Sequence, residues 1–187
     1  MMISELYLHN IVSSLPITYV FYLVVILKNF FFAFGLCFSD GIVVIIKNLS
    51  NYLDKTSWLY KITRRPVVGS TCDLLSQIPS KLNAPGFPSG HMAITLYFYT
   101  ILTYLKYVDF TNRNRLQNNH NNNVELFIKT HVVDLAIYIL LIILTGIARI
   151  RKGCHTLLQV FVGSIVGVLS SLIFIYFYYK KQHFFTS

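Results

Sequence analysis

The chain has 187 residues, 55% of them hydrophobic and only 12% charged, with a mean hydropathy of +0.57. That is the balance of one polytopic membrane domain, residues 1–187, rather than of a soluble domain with a polar shell. The net charge of +9 comes from lysines and arginines scattered over loops and helix ends, so phosphates and lipid headgroups are the expected partners and nucleic acid is not.

In chain order, residues 11–37 form an apolar run too long for a signal-peptide core, and they read as the first membrane helix. Ser39-Asp40-Gly41 reads as a tight turn. A second helix then runs over about 41–65 until Pro66 stops it. Residues 67–88 read as a loop and about 91–108 as the third helix. The stretch 109–125 is polar, asparagine-rich at 118–123, and reads as a flexible insertion. A fourth helix spans about 129–150 and a fifth 155–179. The expected fold is therefore all-α, a polytopic bundle of about five transmembrane helices. Cys37, Cys72 and Cys154 show no CxxC spacing, and they indicate neither a zinc site nor a disulfide framework.

Five crossings would bring the end of helix 2, the start of helix 3, the end of helix 4 and the start of helix 5 to one membrane face. Arg65, His91, Arg149 and His155 stand at those four places. Pro85-Gly86-Phe87-Pro88-Ser89-Gly90-His91 is a loop that breaks into a helix, so the backbone N–H groups near Ser89 and Gly90 make an anion site with His91 in the first turn. Two arginine forks, neutral donors at a helix start and histidines are what metal-free cleavage of a phosphate ester requires.

Arg64-Arg65-Pro66, Pro88-Ser89-Gly90-His91 and Arg149-x5-His155 together resemble the type 2 phosphatidic acid phosphatase family, whose pattern is K-x6-RP, PSGH and SR-x5-H-x3-D. The resemblance covers about residues 41–170, the motif-bearing core. It implies a membrane enzyme without cofactor or metal. His155 would be the nucleophile forming a phosphohistidine, and His91 the acid for the leaving group and then the base for water. It also implies phosphate binding by Arg65, Arg149, Ser89 and Gly90.

The chain departs from that pattern in three places. Gln159 replaces the aspartate four residues after the nucleophile; it is catalytic by position, but an amide cannot offset imidazolium charge. A glutamine there resembles the dolichyldiphosphatase-like branch. Ala148 replaces the serine before Arg149. Trp58 stands where the first lysine belongs, so Lys61, on the helical face of Arg65, is the favoured substitute, ahead of Lys55 and Lys47.

Gln159, Gly163 and Gly167 continue from His155 in one i+4 stripe, and the two glycines would let another helix pack closely. Arg64, Arg151 and Lys152 read as interfacial, and His131 and Asp134, at the far end of helix 4, as structural. The function this reading implies is hydrolysis of a lipid phosphate or diphosphate at the bilayer surface, with polyprenyl or dolichyl diphosphate favoured. Phosphatidic acid phosphatase is the alternative, and a degenerate membrane protein that keeps only the fold is a third. Setting aside Lys61, Arg65 and Arg149, lysines and arginines divide evenly between the two faces, so the positive-inside rule gives no orientation. An endoplasmic reticulum or other internal membrane follows by analogy with the dolichyl enzymes.

Overall fold

The computed structural model describes residues 14, 17–66, 72, 84–116 and 124–186, with the backbone alone at Arg115 and 181–186. The expected loop at 67–88 and insertion at 109–125 lie partly outside those residues. Seven helices are described: α1 (Ile17–Ile26), α2 (Phe30–Leu49), α3 (Trp58–Thr63), α4 (Gly90–Leu116), α5 (Val124–Thr130), α6 (Val132–Arg151) and α7 (Leu157–Thr186). Among the described residues, three segments are long and apolar enough to cross a membrane: Phe30–Tyr52, Val132–Arg151 and Leu157–Lys180. The protein is an all-α membrane bundle, in which α4 packs against α7, α2 and α6 and α7 makes its largest interface. With the shorter apolar α1 these are four apolar segments among the described residues, against the five spans expected; α4, the helix they pack around, is more polar and is not among them.

The first two boundaries differ from expectation. The apolar run at 11–37 is broken at Lys28, which adopts a left-handed φ of 50°, and the Asn29 side chain accepts from Phe32 N–H to start a new helix. That helix passes straight through Ser39-Asp40-Gly41, where a turn was expected. Phe32, Ala33, Leu36, Ser39 and Val43 form a buried face against the bundle, and this packing outweighs a local turn signal. The helix expected over 41–65 is consequently the end of α2, a 3-10 turn at Ser50–Tyr52, and the short α3. Ser57 caps α3, its Oγ accepting from Tyr60 N–H, and the chain is extended by Arg64.

Downstream, α4 continues through Leu116, past the expected end near 108, and α5 begins at Val124. Gly163 and Gly167 bring α7 against α4 as the stripe implied. A Cβ on Gly163 would lie 2.4 Å from Ser89 O, and one on Gly167 2.1 Å from Ala93 O. A disulfide joins Cys72 to Cys154 across 82 residues, which corrects the reading that the cysteines form no bridge. Spacing patterns detect nearby partners, and this pair is brought together only by the fold.

Candidate active site

The site is assembled at the end of the bundle where α2 and α6 finish and α4 and α7 begin. Arg65 N–H donates to Ala84 O, and the N–H groups of Gly86 and Phe87 donate to Thr63 O at 2.8 and 3.2 Å, so the arginine segment and the Pro-Gly loop run side by side. Gly86 is required there: a Cβ would sit 2.8 Å from Gln159 Oε1 and 3.1 Å from Arg65 Cγ. Ser89 N–H donates to Gln159 O at 3.0 Å, which registers the start of α4 on the first turn of α7.

Gln159, fully buried, is the hub of this end. Its Nε2 donates to Ile62 O and Arg64 O, both at 2.8 Å, and its Oε1 accepts from Thr156 N–H at 3.2 Å. Gln159 N–H donates in return to Thr156 Oγ1 at 3.3 Å, so Thr156-x-x-Gln159 is a capping box at the start of α7. That box explains a glutamine in physical terms. A carboxylate would set acceptor oxygen against two carbonyls, whereas an amide donates to both.

His155 Nδ1 lies 2.8 Å from Gly86 O and 3.3 Å from Gln159 Oε1. Both oxygens only accept, so Nδ1 carries the proton and donates, and Nε2 is left with its lone pair. Burial pushes the imidazole pKa down to about 3, helped by the charges of Arg149, Lys47 and Arg65 and opposed by the Gln159 hydrogen bond. The ring is therefore neutral at physiological pH. Arg149, Lys47 and Arg65, from three separate parts of the chain, are near enough for their charges to act on this one histidine.

Arg149, only 1% exposed, donates from Nη2 to Cys72 O. Ser89 is fully buried, and its Oγ has no hydrogen-bond partner among the described residues. Gly90 opens α4, and His91 follows in its first turn, half-buried. The lysine is where the structure departs from expectation. Lys61 is exposed on α3, while Lys47 Nζ reaches within 3.9 Å of the point a Gly90 Cβ would occupy. Counting back from Arg65 along one helix misses this, because α2 and α3 are not one continuous helix: a 3-10 turn and extended residues separate them.

Arg64, expected at the interface, is instead buried. It donates to Ser50 O at 2.6 Å and Asn51 Oδ1 at 2.9 Å and lies over the Tyr60 ring. Lys152 is half-buried, its pKa lowered to about 8 by burial and by the charge of Arg149. Among the described residues no group of three His, Cys, Asp or Glu side chains is placed to hold a metal.

The PAP2 superfamily model matches residues 28–183, most of the chain and the whole of this site. The protein belongs to the PAP2 superfamily. No curated protein and no solved structure matches it significantly. Membership of the PAP2 superfamily carries phosphatase activity on lipid-type phosphates in a helical membrane fold. A neutral, tautomer-fixed histidine among cations is chemistry suited to that activity.

Proposed function

We propose that the protein hydrolyses a polyprenyl diphosphate through a phosphohistidine on His155. Supporting this is the fixed Nδ1–H of His155, which directs the Nε2 lone pair at phosphorus. Nε2 forms the P–N bond as the bond from phosphorus to the leaving oxygen breaks. His91 gives that oxygen its proton. Water, activated by His91, then attacks the phosphohistidine and releases inorganic phosphate and neutral His155. Arg65, Arg149 and Lys47 bind the non-bridging oxygens, with Ser89 Oγ and the Gly90 backbone N–H as neutral donors; the Ser89 N–H is taken by Gln159 O. Lys152, close enough to Arg149 to feel its charge, adds a fourth cation, and this much positive charge suits a diphosphate better than a monoester.

The Cys72–Cys154 bridge, beside the site, favours an oxidising compartment and hence a site on the lumenal or other non-cytosolic face of its membrane.

The test is phosphate release by detergent-purified protein in EDTA, from polyprenyl diphosphate and from phosphatidic acid, beside His155→Ala. Release that survives EDTA and is lost in the variant is expected, faster from the diphosphate. Faster release from phosphatidic acid overturns the substrate assignment. No release from either lipid overturns the catalytic reading and leaves a fold that has lost its chemistry.

A further inference from the structure

The turn between α6 and α7 is closed by its own backbone. Lys152, Gly153 and Cys154 N–H groups donate to Ala148, Ile150 and Arg149 carbonyls at 3.1, 2.9 and 3.1 Å, with Gly153 at a left-handed φ of 71°. The glycine contacts of α7 on α4 hold the helices independently. The disulfide is therefore not what brings α6 to α7. What it adds is Cys72, a residue of the long connection between Pro66 and Pro88, whose carbonyl accepts from Arg149 Nη2. Both cysteines are buried, and Cys154 is the immediate neighbour of His155. A guanidinium on a long side chain presents its fork in one direction only when its donors are held. A loop carbonyl holds it only as firmly as the loop is anchored.

We propose that the Cys72–Cys154 disulfide is a positioning element of the phosphate site, clamping the Cys72 carbonyl against Arg149 so that its guanidinium is presented beside His155. This rests on the reading of that end of the bundle as a phosphate site. The bridge forms when the two thiols lose two protons and two electrons to a protein or small-molecule disulfide, which is reduced to its dithiol.

The experiment uses full-length protein in detergent. Maleimide-polyethylene glycol under denaturing conditions should add one tag without reductant, on Cys37, and three after reduction. Calorimetric binding of inorganic phosphate is then compared for the wild type, Cys72→Ser/Cys154→Ser, Arg149→Lys and the triple variant. Losing the bridge should weaken phosphate about tenfold when Arg149 is present and less than about twofold in Arg149→Lys, the non-additivity of groups that act together. If the serine pair fails to fold, wild type and Arg149→Lys are compared with and without reductant. Three tags before reduction, equal losses in both backgrounds, or no loss in either overturns the proposal. A wild type that carries one tag and binds no phosphate overturns the phosphate-site reading itself, and this proposal with it.

Discussion

The two ends of the bundle both carry basic residues, and the contacts described for them differ. At the end away from the site, lysine and arginine meet carboxylates: Lys106 pairs with Asp134, Arg113 with Asp109 at 2.8 Å and Lys129 with Glu125 at 2.6 Å, the last two one helical turn apart and well exposed. Rings fill the space between. Tyr19 stacks on Phe98 at 4.1 Å, Phe127 on His131 at 4.7 Å, and an apolar groove of about 640 Å³ opens between Tyr104, Phe127 and Tyr138. At the site end, the oxygens described on Arg64 and Arg149 are neutral carbonyls and an amide, which orient a guanidinium and leave its charge in place. At one end the described contacts of the cations are ion pairs, and at the other Arg64 and Arg149 are oriented by neutral oxygens. That groove is lined by rings, aliphatic side chains and threonines, with none of the site's cations.

That contrast breaks most visibly at Arg149. Arg149→Ala should lower kcat/KM about a thousandfold, as for loss of one transition-state donor, while Lys106→Ala at the opposite end stays within about twofold. Kinetics on a single purified lipid substrate decide it.

Gln159→Glu sharpens the comparison, because it keeps shape and replaces the amide's two N–H donors with a charged oxygen. It sets that oxygen against the Ile62 and Arg64 carbonyls and stabilises a charged His155. We expect kcat/KM to fall about 10- to 100-fold and the acid limb of the pH profile to move upward. An unchanged profile would break the link between Gln159 and His155.

Lys47→Ala should raise KM about tenfold, roughly the worth of one charge-assisted contact, and Lys61→Ala should leave it within about twofold. The reverse ranking would return the phosphate lysine to α3.

Among glycines, Gly167→Ala should destabilise by about 1–3 kcal/mol because its Cβ would meet the α4 backbone. Gly41→Ala, with open space around it, should not lower Tm.

A separate effect is on stability against pH. The folded pKa of His155 is about 3 and its unfolded value about 6.5, so between these the unfolded chain binds the extra proton. Stability should thus be full above about pH 6.5 and decline as pH falls toward 3, and His155→Asn should remove that part of the slope in denaturant titrations.

The local parts of the site were legible because each is a short-range pattern. Pro88-Ser89-Gly90-His91 is a loop breaking into a helix, and Gln159, Gly163 and Gly167 follow the helical period. Thr156-x-x-Gln159 is a short-range pattern of the same kind, but it emerged only from the hydrogen bonds at the start of α7. The break at Lys28 was not, since no proline or glycine marks it and only Asn29 signals a new start. Lys47 was ranked below Lys61 because helical counting assumes a continuous helix, and the chain between Leu49 and Trp58 bends instead.

By itself, the sequence determined that this is a helical membrane protein with cations and histidines gathered at helix ends, because hydrophobic length and local backbone chemistry are properties of short segments. Only the tertiary structure decided which lysine approaches Gly90, that Cys72 meets Cys154 and that Gln159 donates to Ile62 and Arg64. Those contacts join residues on different elements, and their distances exist only once α4 and α7 have packed.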